Sequence, residues 1–223
     1  METQSLSLIH VVRKPKTQEA TPPLLILLHG YRSNEHDLFG LSPYLDERFL
    51  IVSVRAPLTL MPGGYAWFEL GITANGVAFD PVQVGSSFAR VTTLIQEAID
   101  AYQVDASRVF LLGFSQGAMV SAGITLTKPH LVAGVVLMSG SIPSQDLLPI
   151  AATEQLNDKP FLVTHGTMDE VLPISHGRAS RDLLQQLPVN LVYHEYPMGH
   201  EINMPCLQDM TAWLKKQLDG TKQ

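Results

Sequence analysis

Gly113-Phe114-Ser115-Gln116-Gly117 has the spacing Gly-x-Ser-x-Gly. The apolar run 109–112 before it reads as a buried strand, and Ala118-Met119-Val120 after it opens an apolar helical pattern. A chain that passes from strand to helix within five residues forces the middle one into a strained backbone. Glycines two before and two after let the backbones pass without a Cβ clash. The serine is then displayed at the tip of the turn with a helix N-terminus behind it, the placement a nucleophile needs. A serine hydroxyl is a weak nucleophile at neutral pH, so it needs a base within reach and a group to orient that base. His200, in Met198-Gly199-His200 just past a strand-like stretch, is the best base among the eight histidines. Asp169, in the turn His165-Gly166-Thr167-Met168-Asp169, is the best orienter. Glu170 is its rival, whereas Asp158 precedes its strand and lies at the wrong end. The chain order Ser115, Asp169, His200 is the one expected when the nucleophile sits on a strand–turn–helix. Two main-chain N–H groups should hold the oxyanion: that of Gln116, and one from the loop after the run 24–28, best matched by Tyr31. Removing one such donor costs about 10²–10³ in turnover.

These residues need elements that bring them to one place. Runs 24–28, 50–54, 109–112, 131–138 and 160–164 are continuously apolar, the mark of strands buried on both faces. Residues 190–196 alternate as a strand, and 5–12 read as an edge strand. Phe88, Val91, Leu94, Ile95, Ala98, Ile99 and Tyr102 fall at helical spacing, as do Leu207, Met210, Leu214 and Leu218. A further helix follows Pro173, and Ser42-Pro43 has the form of a helix start. Strands alternating with helices predict an α/β fold with a mostly parallel central sheet covered on both faces, in a single domain spanning 1–223. In such a sheet ligands gather at the carboxyl ends of the strands. Ser115, Asp169, His200 and the loop of His29-Gly30-Tyr31 all follow strands and should share that rim. From 57 to 87 prolines and glycines break every pattern around the aromatic Tyr65-Ala66-Trp67-Phe68. This segment is expected to be irregular and to cover part of the site, because long loops in compact domains are usually functional.

Bulk properties exclude other classes. The 223 residues carry 15 basic and 21 acidic side chains, a net charge of −6 and no basic run, which argues against a nucleic-acid surface. No apolar run in the first half approaches the length of a membrane span. The N-terminal residues lack the basic and apolar regions of a secretory signal, and Cys206 is the only cysteine, so a cytoplasmic protein without internal disulfides is expected. His194-Glu195 and His200 lack the i, i+4 spacing of a zinc helix, and neither phosphate-binding glycine motif occurs. The expectation is hydrolysis with no metal and no cofactor. Cys206 reads as a buried helix residue with no base beside it. His29 and His165 read as structural, each fixing a glycine turn.

His29-Gly30, Gly113-Phe114-Ser115-Gln116-Gly117, His165-Gly166-Thr167-Met168-Asp169-Glu170-Val171-Leu172-Pro173 and Gly199-His200-Glu201 together resemble the carboxylesterase/phospholipase/acyl-protein thioesterase family of α/β-hydrolases, in its small bacterial form. The resemblance runs from about residue 24 to the terminal helix. It implies an α/β-hydrolase fold without a large lid domain, Ser115, Asp169 and His200 as the triad, and Tyr31 and Gln116 as oxyanion donors. It also implies Trp67, Phe68 and Leu70 as lining of an acyl pocket, with Val171 as a further acyl contact. The family's usual Leu-Gly-Asp after the first His-Gly is replaced by Tyr31-Arg32-Ser33, which speaks against a palmitoyl-type substrate. The expected activity is a serine carboxylesterase acting on small-molecule esters of short to medium acyl chain. Thioesters and lysophospholipids stand as alternatives within the class. A non-catalytic binding protein or an acyl transferase stand as alternatives outside it, and homodimerisation is left open.

Overall fold

The apolar runs become the centre of a sheet. The computed structural model describes residues 4–73, 76–143 and 148–220. Strand β1 (His10–Arg13) is followed by β2 (Leu24–Leu28) and β3 (Leu50–Val54). Two hairpins come next, β4 (Leu58–Met61) with β5 (Gly64–Ala66) and β6 (Leu70–Thr73) with β7 (Gly76–Phe79). Helix α1 (Pro81–Tyr102) leads to β8 (Val109–Phe114), α2 (Gln116–Thr127), β9 (Gly134–Met138) and β10 (Pro160–Gly166). Helix α3 (Ile174–Leu184), β11 (Asn190–Tyr196) and α4 (Met204–Gly220) complete the chain. The main sheet has seven strands in the order β1-β3-β2-β8-β9-β10-β11. Only β1, at one edge, runs antiparallel; the other pairs are parallel.

Every residue of β2, β3 and β9 is buried, because alternate side chains feed cores on opposite faces. Leu24, Ile26, Leu28, Val109, Leu111, Val135 and Leu137 join the core beneath α1 and α2. Leu25, Leu27, Phe110, Leu112, Val136 and Met138 join the core beneath α4, with Trp213 and Leu214 from that helix. A strand with two dry faces has no polar side to show, and this is why these segments read as continuous apolar runs. This is the α/β-hydrolase arrangement, with no separate lid domain among the described residues.

The segment 57–87 is more regular than its sequence suggests. The hairpins β4–β5 and β6–β7 occupy most of it; residues 74–75 lie outside the described residues. Their strands are three or four residues long, too short for an alternating pattern to register. Helix α1 also begins at Pro81, seven residues before Phe88. The Asp80 side chain accepts the Val82 N–H at 2.9 Å, and Pro81 occupies the first turn where its missing N–H costs nothing. Ser42-Pro43 lies inside a short 3₁₀ helix, Leu38–Tyr44, instead of starting a helix of its own.

Candidate active site

The parallel register sets the site. Leu28 pairs with Val54 and with Gly113, and Gly166 pairs with Tyr196, so the residues just beyond these strands emerge along one rim. Ser115 sits between β8 and α2 with φ 54° and ψ −116°. This is a conformation that L residues rarely adopt. Its N–H donates to the Met138 carbonyl at 2.9 Å, and its carbonyl accepts from Ala118 N–H at 3.1 Å in the first turn of α2. Both flanking glycines are required by space. A Cβ on Gly113 would lie 2.3 Å from the Gly117 carbonyl oxygen, and one on Gly117 would lie 1.9 Å from that of Leu28. The turn is thus pressed between its own helix and the end of β2.

Asp169 is buried, and all its acceptor positions face donors. Oδ1 accepts the N–H groups of Val171 at 3.0 Å and Leu172 at 2.7 Å. Oδ2 accepts Nδ1–H of His200 at 2.7 Å. A carboxylate can only accept here, so in the neutral ring the His200 proton belongs on Nδ1, which leaves Nε2 as the acceptor. Glu170 is exposed, and Asp169 is the acid that meets His200. Gly166 makes the meeting geometrically feasible. A Cβ there would stand 2.3 Å from the Met198 oxygen and 2.4 Å from the Gly199 oxygen, so the loop bearing His200 lies directly on the loop bearing Asp169. The His200 ring packs on Phe114, the neighbour of Ser115, with centroids 4.9 Å apart.

The two other rim histidines are buried. His165 Nε2 lies 2.7 Å from the Leu172 carbonyl and 3.5 Å from Asp169 Oδ2. It therefore donates, closing the loop that carries Asp169. Among the described residues His165 Nδ1 has no partner, and it is buried against Gly177 of α3. His29 Nε2 accepts the Ala56 N–H at 3.0 Å, which puts the proton on Nδ1, and Nδ1–H donates to the Gly30 carbonyl at 2.7 Å. Burial holds both rings below the ordinary histidine pKa, so both are neutral at pH 7.

Gly30 packs against Ser115, since a Cβ there would come within 3.3 Å of Ser115 Cβ. The His29 bond to the Gly30 carbonyl also fixes the peptide plane that carries the Tyr31 N–H, because the two groups point opposite ways across one planar unit. Among the described residues, neither the Tyr31 N–H nor the Gln116 N–H bonds to a protein acceptor.

The four residues assigned to an acyl pocket differ in exposure. Trp67 and Phe68 are core residues, 1% and 0% exposed, packed against His29 and Phe79. Leu70 and Val171 are exposed, 36% and 71%, as is Met168 beside Asp169. Cys206 is buried 3.4 Å from the Thr164 hydroxyl, and burial pushes its thiol pKa up, away from a reactive thiolate. Sequence reasoning missed the Gln116 side chain, the Ser87 hydroxyl and the buried Glu35–Arg55 pair at the rim. Each acts through a partner distant in the chain, so only burial of a polar residue could have signalled it, and burial is not written locally.

Comparisons with known proteins agree with this architecture. A profile of the Phospholipase/Carboxylesterase family matches residues 9–218. The acyl-protein thioesterase 1 of Yarrowia lipolytica is 30% identical over 157 residues, covering 69% of each chain. The acyl-protein thioesterase 1 of Debaryomyces hansenii is 29% identical over 206 residues, covering 85% of this chain and 88% of the relative. The crystal structure of the Bacillus cereus carboxylesterase superposes with a TM-score of 0.82 at 25% identity, covering 95% of each chain. The chain belongs to the phospholipase/carboxylesterase family of serine hydrolases with the α/β-hydrolase fold, enzymes that hydrolyse esters or thioesters.

Proposed function

We propose that the protein is a serine carboxylesterase that hydrolyses esters of short to medium acyl chain through Ser115, His200 and Asp169. The observation that carries this reading is the 2.7 Å bond from His200 Nδ1 to Asp169 on the rim where the strained turn displays Ser115. His200 Nε2 takes the hydroxyl proton as Ser115 Oγ attacks the ester carbonyl. The Tyr31 and Gln116 N–H groups receive the charge that develops on the carbonyl oxygen. The His200 imidazolium then protonates the leaving alkoxide, the C–O bond breaks, and an acyl-enzyme and free alcohol remain. Water, deprotonated by His200, attacks the acyl-enzyme; the second tetrahedral intermediate collapses to carboxylic acid and restores Ser115. Asp169 keeps the tautomer and stabilises the imidazolium. No metal and no cofactor enters this cycle. Residues 57–73 and 76–87 form part of a single domain and cover one side of the site. Leu70 and Val171, both exposed, offer apolar contact to an acyl chain, while Trp67 and Phe68 support that wall from the core.

A thioester is the second reading, favoured by the likeness to acyl-protein thioesterases. The same cycle serves, with a thiolate leaving. Turnover of nitrophenyl esters of two to sixteen carbons, beside the matching acyl thioesters, separates the readings. A short-chain ester optimum supports the proposal, and a long-chain thioester optimum replaces it. Ser115→Ala should lose at least about 10³-fold in kcat and all labelling by a fluorophosphonate. Equal labelling of the variant and the wild type would remove Ser115 from the nucleophile's role.

A further inference from the structure

The two oxyanion donors stand on separate elements. Tyr31 lies in the loop after β2, and Gln116 is the first residue of α2. Their mutual position is decisive, because each must point at charge that exists only in the transition state. One short crosspiece, residues 65–68, is bonded to both. On the Tyr31 side, Arg32 N–H donates to the Tyr65 carbonyl at 2.9 Å, and Tyr65 N–H donates to the Ser33 carbonyl at 2.8 Å. The Trp67 indole N–H also donates to the His29 carbonyl at 2.9 Å. On the other side the link is the Gln116 side chain. Trp67 N–H donates to Oε1 at 2.8 Å, and Nε2 donates to the Phe68 carbonyl at 2.7 Å. The crosspiece is anchored behind by α1, where the Ser87 hydroxyl donates to the Trp67 carbonyl.

We propose that the Gln116 carboxamide is a positioning residue for the oxyanion hole: through residues 65–68 it locks its own N–H at a fixed separation from the Tyr31 N–H. This rests on the esterase reading above. A primary carboxamide carries one acceptor and one donor in a single plane, and here it meets the Trp67 N–H and the Phe68 C=O together, clasping the bend at 67–68. The side chain is 3% exposed, so it is not available to substrate and acts only through this bridge. With the main chain of Gln116 held by α2 and its side chain held by the crosspiece, the residue cannot rotate its N–H away. A glutamine that merely satisfied two buried groups would affect stability alone. One that sets an oxyanion donor affects kcat with little effect on KM, because a displacement of about 1 Å in such a group costs on the order of 10²-fold in rate.

Gln116→Met keeps the length of the side chain and removes both bonds, while Ser87→Ala loosens the crosspiece from its far anchor, away from the reacting atoms. Both are assayed with p-nitrophenyl butyrate, with a trifluoromethyl ketone as transition-state analogue, and by thermal unfolding. For Gln116→Met we expect kcat to fall about 10–100-fold, KM to stay within about twofold, and the ketone affinity to fall by the same factor as kcat. The acid limb of the pH profile should not move, because His200 and Asp169 are untouched. Ser87→Ala should move kcat in the same direction by about 2–10-fold. A folded Gln116→Met with kcat within about threefold of wild type, or with its loss confined to KM, overturns the proposal. Should Gln116→Met not fold, Ser87→Ala decides, and an unchanged kcat there overturns it. Ser115→Ala in the same assay tests the underlying reading independently: if that variant turns over, the esterase assignment fails whatever Gln116 does.

Discussion

Ser115 holds a backbone conformation at φ 54° and ψ −116° that suits glycine. A side chain kept there costs about 1–3 kcal/mol, stored because β8, α2 and the end of β2 leave the turn no other path. Glycine at this position would relieve that strain and lose about 0.5–1 kcal/mol to chain entropy. Ser115→Gly should therefore be more stable than wild type by roughly 0.5–2 kcal/mol. At about 2–4 °C per kcal/mol for a chain of this size, calorimetry resolves the shift. Ser115→Ala retains the Cβ and the strain, so its midpoint should stay near wild type, and both variants should be inactive. Asp169 offers a second test. With Oδ1 taken by two main-chain N–H groups, an asparagine must place its oxygen there and turn its NH₂ toward His200. That forces the His200 proton onto Nε2, where the base must be bare. Asp169→Asn should lose about 10⁴-fold in kcat with little loss of stability. A loss of only a few fold would mean that His200 keeps its tautomer without Asp169.

At the level of elements, close contact between loops places the chemistry, and glycines permit the contact. Gly166→Ala sets a Cβ 2.3 Å from the Met198 oxygen, a backbone atom that cannot swing aside. The two loops must part, carrying Asp169 away from His200. We expect destabilisation of about 2–4 kcal/mol in urea, together with a fall in kcat measured well below the unfolding range. Such glycines were legible because they stand in motifs with known spacing. So were the strands with two buried faces, since a run such as Leu24–Leu28 has few alternatives. The hairpins β4–β5 and β6–β7 were not legible, nor the first two turns of α1, where Val84 and Ser87 are the buried residues. Short elements are held by contacts from elsewhere in the chain, and local periodicity carries no trace of those contacts. The crosspiece at 65–68 shows the same limit: Tyr65 and Trp67 stood out as aromatic, but the bonds of their main chains to the Arg32 and Ser33 main chains and to the Gln116 side chain did not.

Across the whole molecule, the rim couples catalytic geometry to acid stability. His29 and His165 are both fully buried, and both are held neutral below the ordinary pKa by burial. In the unfolded chain each returns to about 6.5. Above that pH neither state binds the extra protons, and stability is insensitive to these groups. Below it the unfolded chain takes up protons that the folded chain refuses, so stability falls as pH drops from about 6.5 toward the folded values. With both rings contributing, the slope is positive and bounded by two protons, about 2.7 kcal/mol per pH unit. The carboxylates contribute only at lower pH: Arg55 holds buried Glu35 below the usual range, and Arg178 holds Glu195 at about 2. Urea unfolding at half-unit steps from pH 7.5 to 5 measures the slope, and replacing His29 with glutamine should reduce it even if the variant is less stable at every pH. A flat curve over that range would mean that both rings accept protons in place. A protonated His29 could then no longer accept the Ala56 N–H at Nε2, while its Nδ1–H would still donate to the Gly30 carbonyl and hold the Tyr31 peptide plane.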